Sequence, residues 1–253
     1  NPMMKETLGG GGKTGYDWLI KAFEMAYERW PDAILIYNDY NSIQWDIDNY
    51  ITLVKTLRDA GAPIDAYGNQ SHDVSDISKT NLANALKKQQ DALKMPMYIT
   101  ELDIDKANDT QQKTQYQNVL PTMWEQPYCA GVTLWGHVLG ATWVDNSGLY
   151  RNGVERPAMT WIKEYMETDE AKNAVGPFLN NKKEASIYIR PASPKVAKGD
   201  VLPIMVRAKM ATKTIQKIDL YVGNELIATM TEAPYLTEYT SSSSGSKTLK
   251  AVV

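Results

Sequence analysis

The feature that most constrains this chain is a rhythm of short apolar runs, each closed by polar or aromatic residues and followed by an amphipathic stretch, from Ile34 to Met166. The runs are Ile34-Leu35-Ile36-Tyr37, Ile64-Asp65-Ala66-Tyr67, Met97-Tyr98-Ile99-Thr100 and Gly131-Val132-Thr133-Leu134. They recur at roughly 30 residues, the length of a strand-helix-strand unit. Connections of that length suit crossovers between parallel strands. Helices are expected to begin near Asp48, Ser78 and Gln111. A further helix over 16–30 precedes the first strand, with Trp18, Leu19, Ala22, Phe23, Ala26 and Tyr27 at helical spacing and Pro31 as its stop. The last helix runs from Pro157, a good first-turn residue, to Met166.

Past Thr168 the pattern changes. Gly176-Pro177 and Asn180-Asn181-Lys182-Lys183 read as a linker, and short alternating strands then replace the helices. Ile187-Tyr188-Ile189, Ile204-Met205-Val206, Ile218-Asp219-Leu220-Tyr221-Val222 and Leu226-Ile227-Ala228-Thr229 are strands, Gly223-Asn224-Glu225 is a hairpin turn, residues 241–246 are a loop, and residues 247–253 are one more strand. The expected domains are therefore residues 1–173 and 174–253. With 43% hydrophobic residues and a net charge of −3, the chain reads as a soluble globular protein. It carries no basic patch for nucleic acid, and no apolar stretch approaches the roughly 20 residues of a membrane span. The lone Cys129 cannot form an internal disulfide.

In a barrel of eight parallel strands the catalytic side chains sit where the strands end. The third run delivers Glu101 to such an end and follows it with Asp103 and Asp105, which makes Glu101 the leading candidate for a nucleophile. The other ends offer Asn38-Asp39-Tyr40-Asn41, Gln70-Ser71-His72 and Trp135. Taken together, Tyr37-Asn38-Asp39-Tyr40-Asn41, Gln70-Ser71-His72, Thr100-Glu101-Leu102-Asp103 and Thr133-Leu134-Trp135-Gly136 resemble, in order and spacing, the endo-β-1,4-xylanases of glycoside hydrolase family 10. The resemblance covers residues 13–166. It implies an α/β fold, the C-terminal half (strands five to eight) of a (β/α)₈ TIM barrel, and a retaining endo-1,4-β-xylanase that needs no cofactor or metal. By the same matching, Glu101 is the nucleophile, His72 and Asp103 support it, and Trp135 and Trp143 wall the subsite for the sugar at the cleavage point. Asn38, Tyr40 and Gln70 match positions that hydrogen-bond sugar hydroxyls or the nucleophile. Such a carboxylate must stay ionised while its partner acid stays protonated, and hydrogen bonds to the charged form serve that end.

The pattern departs from the family in two places. Between the tryptophans, where a common version of the family carries an acidic and a basic residue, this chain reads Gly136-His137-Val138-Leu139-Gly140-Ala141-Thr142. No residue matches the acid/base glutamate at the end of the family's fourth strand; Glu6, the only carboxylate of the first fifteen residues, lacks an apolar strand before it. The expectation is that the chain begins inside an unfinished barrel, that the N-terminal half is a needed partner, and that the chain alone is inactive. Residues from about Lys183 resemble the immunoglobulin-like modules of secreted bacterial polysaccharide enzymes, here an all-β sandwich lacking its last strand and serving as a spacer. The resemblance also implies xylan or xylo-oligosaccharides as substrate and a secreted, cell-surface or periplasmic bacterial location. The alternatives are a non-catalytic xylan-binding or assembly fragment and a related barrel β-glucanase or cellulase.

Overall fold

The computed structural model describes residues 2–30, 33–174, 176–177, 185–191, 196–210 and 214–253. The elements of residues 2–173 are, in order, α1 Pro2–Thr7, α2 Asp17–Arg29, β1 Ile36–Asp39, α3 Ile47–Asp59, β2 Ala66–Asn69, α4 Lys79–Leu93, β3 Met97–Leu102, α5 Asp109–Trp124, β4 Cys129–Leu134, β5 Tyr150–Arg151, β6 Val154–Glu155, α6 Pro157–Met166 and α7 Asp169–Asn173. Six strands with antiparallel partners follow: β7 Ala185–Pro191, β8 Val201–Met210, β9 Ile218–Val222, β10 Glu225–Met230, β11 Tyr235–Thr240 and β12 Leu249–Val252. Contacts gather these elements into two compact units. One comprises Ile36–Val54 and Asp65–Asn180; the other comprises Asn1–Leu35, Lys55–Ile64 and Asn181–Val253. The linker residues Asn180-Asn181-Lys182-Lys183 lie outside the described residues.

The first unit holds a four-stranded, wholly parallel sheet in the order β1-β2-β3-β4. Its strands are neighbours in space in the order of the sequence, which is the simplest outcome of repeated right-handed crossovers. β2 is buried along its whole length, as expected of a parallel strand covered on both faces. β1 and β2 each sit two residues further along than the apolar runs indicate, because parallel backbone pairing continues through Asn38↔Gly68 and Asp39↔Asn69. Ladder hydrogen bonds come from the backbone, so polar side chains do not end a strand by themselves.

The helices follow from local chemistry. Ser78 caps α4 by accepting from the Asn81 backbone N–H, and Leu82, Leu86 and Leu93 bury one face. α5 starts two residues earlier than its periodicity suggests, since Asn108 is the cap and accepts from the Gln111 N–H at 3.0 Å. α6 spans the predicted residues with Pro157 in its first turn and Ala158, Ile162 and Tyr165 buried. α1, α7 and the β5–β6 hairpin carry no periodic signal and were not expected. Glu6 lies in α1, not at a strand end.

The C-terminal residues form two three-stranded antiparallel sheets, β11-β8-β7 and β10-β9-β12. Leu202, Ile204, Val206, Ile218, Leu220 and Met230 close the core between them. β9 and β10 are joined at Gly223-Asn224, where Gly223 takes a φ of +61° that a tight two-residue hairpin favours.

Candidate active site

Parallel pairing brings every strand's C-terminal end to one edge of the sheet, so Asn38, the segment after Asn69, Glu101 and Trp135 are neighbours by construction. Asn38 lies against β2 because residue 68 is glycine; a Cβ there would come within 2.7 Å of Asn38 Oδ1. Thr100 Oγ1 donates to Asn38 Oδ1 at 2.8 Å, which turns the amide so that Nδ2 donates to Glu101 Oε1 at 3.4 Å. Glu101 thus has one oxygen on Asn38 and the other on His72.

His72 is delivered by a sharp turn. Ser71 adopts a left-handed φ of +67°, and the buried residues Asn69, Gln89 and Ser42 lock the strand end before it. Asn69 and Gln89 exchange amide hydrogen bonds at 3.0 Å in both directions, and Ser42 Oγ donates to Asn69 Oδ1 at 2.6 Å. A fully paired buried amide network of this kind fixes geometry, since any slip leaves a polar group unsatisfied. Next to His72, Asp73 accepts from the backbone N–H groups of Ile43 and Gln44, and so ties the loop after β1 to the same turn.

The His72 ring stands between two carboxylates, with Nε2 3.3 Å from Glu101 Oε2 and Nδ1 3.0 Å from Asp103 Oδ1. Both nitrogens face acceptors, a placement that only the imidazolium, with two N–H donors, satisfies. Burial pulls the imidazole toward its neutral form, but Asp103 and then Glu101 outweigh it, and the histidine pKa is raised. Asp103 is 4% exposed and also accepts from the indole Nε1–H of Trp143. The Trp143 ring lies edge-on to His72 with centroids 4.6 Å apart, and Trp135 stands at 6.4 Å. The chain Trp143–Asp103–His72–Glu101–Asn38–Thr100 is continuous.

Both tryptophans keep open faces, Trp135 44% and Trp143 61% exposed, while the carboxylates beneath them are largely covered. Exposed indoles beside a recessed carboxylate make an apolar wall with a polar floor, which suits a pyranose ring. Tyr40 is 62% exposed at the end of β1. Gln70 donates its backbone N–H to the Asp39 carbonyl at 3.0 Å. The structure therefore gathers Asn38, His72, Glu101, Asp103, Trp135 and Trp143 into one contact network and leaves Tyr40 and Gln70 at its rim. Residues that the sequence reading passed over are Thr100, which orients Asn38, the Asn69–Gln89 lock, and Arg156, which lies outside every strand-end motif. A threonine directly before the carboxylate was the one legible signal among these.

No group of three or more His, Cys, Asp or Glu side chains among the described residues could hold a metal ion. Among them too, no helix is long and apolar enough to cross a membrane.

Comparison with known proteins bears on the same site. Residues 4–171 match the family profile described as Glycosyl hydrolase family 10, and residues 188–251 match that described as Bacterial Ig domain. Endo-1,4-beta-xylanase B of Cellvibrio japonicus is 38% identical over 149 residues, which is 58% of this chain and 24% of that protein. Endo-1,4-beta-xylanase B of Paenibacillus barcinonensis is 30% identical over 52% of this chain and 45% of its own length. The crystal structure of xylanase 10B from Thermotoga petrophila in complex with xylobiose superposes with a TM-score of 0.54 at 26% identity, covering 60% of this chain and 52% of that one. The chain spans less than half the length of these two curated relatives. Its parallel sheet and helices are of the barrel type of that family, its antiparallel sheets are immunoglobulin-like, and the chain belongs to glycosyl hydrolase family 10.

Proposed function

We propose that this chain is part of a retaining endo-1,4-β-xylanase in which Glu101 attacks the anomeric carbon and carries the glycosyl-enzyme intermediate. The observation that carries this reading is the imidazole of His72 held between Glu101 and Asp103 at 3.3 and 3.0 Å, beneath two exposed tryptophans. In the first step a Glu101 oxygen forms a bond to C1 of the sugar as the C1–O bond to the leaving xylosyl unit breaks. The departing oxygen takes a proton from a carboxylic acid, and the same group, now a base, activates the water that releases the sugar from Glu101. His72 and Asn38 hold the nucleophile's two oxygens, so attack occurs from one fixed orientation. Trp135 and Trp143 stack on the sugar at the cleavage point; Tyr40 and Gln70 contact its neighbours or hydroxyls.

Asp103 is committed to His72 and Trp143. The proton donor is accordingly assigned to a glutamate of the barrel portion that the family carries ahead of this sheet, roughly 5 to 5.5 Å from the nucleophile as retention requires. Residues 1–253 on their own should then leave xylan uncut, while an aryl xyloside with a good leaving group, which needs little protonation, should react first. Joining the upstream barrel portion should restore xylan cleavage. The Ig domain is read as a spacer, and its kind supports a secreted enzyme. The test is to measure release of xylo-oligosaccharides from xylan, with cellulose and mixed-linkage glucan in parallel. A complete enzyme that cuts glucan faster than xylan, or that yields the inverted anomer, would overturn the reading.

A further inference from the structure

Arg156 is the largest fully buried side chain among the described residues and stands outside the strand-end motifs. Buried charge is costly unless every donor is met, and here four of the five are accounted for. Nε donates to Asp109 Oδ1 at 2.8 Å, Nη1 to the carbonyls of Asn146 at 2.8 Å and Gly148 at 2.6 Å, and Nη2 to the carbonyl of Lys106 at 2.8 Å. Asp109 is itself held by both terminal nitrogens of Arg151, at 3.0 and 3.1 Å.

The segments joined in this way are not arbitrary. Lys106 ends the stretch that carries Asp103, and Asn146 and Gly148 end the loop that carries Trp143. Asp103 and Trp143 are the two partners of one hydrogen bond in the site. The buried Gln112 Nε2 reinforces the same pair of segments, lying 3.2 to 3.3 Å from the carbonyls of Ile104, Asn146, Ser147 and Gly148. The bonds to the Ser147 and Gly148 carbonyls are buried, and without these two side chains those carbonyls would be unsatisfied in the interior. Glycine at 148 is demanded as well, because a Cβ there would run into the backbone of Leu139.

We infer that Arg156, backed by Gln112, is a positioning residue that sets Trp143 against Asp103 and through them fixes the placement and charge of His72. It touches neither substrate nor nucleophile. Its effect passes through the carbonyls of residues 106, 146 and 148, and a planar fork with five donors spans those segments as a lysine ammonium, a single point of charge, does not. The inference rests on the proposed function for its kinetic readout alone; the titration of His72 needs no turnover.

The experiment compares Arg156→Lys, Gln112→Leu and Trp143→Phe, singly and with Arg156→Lys joined to Trp143→Phe, in the complete enzyme. Gln112→Leu loosens the same carbonyls while leaving the buried charge in place. The His72 imidazole, assigned against His72→Ala, is followed by NMR as a function of pH, and kcat and KM are measured on xylo-oligosaccharides. The expected result is a His72 titration midpoint lowered toward the ordinary histidine value of about 6.5 in both loosened variants. With it should come a kcat loss of about 10- to 100-fold, the scale of a misplacement near 1 Å, with little change in KM. Arg156→Lys should add almost nothing to Trp143→Phe. A lowered melting temperature with wild-type His72 titration and kcat, or fully additive losses in the double variant, would overturn the inference and leave Arg156 a stability residue. If the parent enzyme proves inactive on xylan, the proposed function fails while the NMR shift still decides this one.

Discussion

Replacing Asp103 by asparagine should uncouple the site more cleanly than any other single change. The side chain is 4% exposed, and as an ionised carboxylate it accepts from His72 Nδ1–H on one oxygen and from Trp143 Nε1–H on the other. An asparagine offers one acceptor and one NH₂ group, so one of those donors must meet another donor as long as His72 stays an imidazolium; the neutral ring escapes the clash by accepting on Nδ1. The variant therefore loses at least one charge-assisted hydrogen bond, worth about 1.5–3 kcal/mol, or about 10- to 150-fold if the whole loss appears in the transition state. The pH dependence has a definite sign. His72 has a raised pKa, so the stabilisation that its charged form contributes is complete below the unfolded histidine pKa and is lost as pH rises through the folded one. Asparagine removes the larger of the two raising influences while burial still pulls the other way, and that loss should therefore begin at lower pH. The assay is a pair of profiles on the complete enzyme, thermal stability and kcat from pH 4 to 9, with the His72 ring followed by NMR. Unchanged His72 titration together with kcat within twofold of wild type would refute the claim that Asp103 holds the imidazolium.

Glu101→Gln keeps the size of the side chain and an acceptor for one of its two donors but cannot form the glycosyl-enzyme, so kcat on xylan should fall by several orders of magnitude with the circular dichroism spectrum intact; activity within tenfold of wild type would place the nucleophile elsewhere. Gly148→Ala should destabilise by about 1–3 kcal/mol, because the new methyl group meets Leu139 backbone with no flexible side chain to yield, and a denaturant midpoint reads it. Ile218→Ala empties a fully buried position in the C-terminal sandwich and should cost that domain about 2–5 kcal/mol, measured by chemical denaturation.

The sequence carried most of what positions the site. Four apolar runs at the spacing of a crossover unit specify a parallel sheet, and parallel strands must present their ends together, which is why Asn38, Glu101 and Trp135 converge. Strand limits were less legible: β1 and β2 run two residues past their apolar runs, since the ladder is made by backbone groups that hydrophobicity does not report. The α5 start was missed because Asn108, not periodicity, decides it. Trp143 shows the remaining difficulty. Its residue type suggests a sugar wall, but its hydrogen bond to Asp103 depends on the fold of a 40-residue separation, and the arginine that sets that fold lies thirteen positions further on in a helix cap. Long-range polar locks of this kind have no period and no local signature, so Arg156, Gln112 and Gln89 were invisible until the chain was seen folded.

The central claim is that Glu101 becomes covalently linked to sugar. The complete enzyme should be incubated with a 2-deoxy-2-fluoro xylobioside bearing a good leaving group, which slows release of the intermediate more than its formation, and then digested and read by tandem mass spectrometry. The account predicts one equivalent of fluoro-xylobiosyl label on the peptide that contains Met97–Leu102, with fragment ions assigning it to Glu101. A label on any other carboxylate, or stoichiometric turnover with no covalent adduct at all, would contradict it.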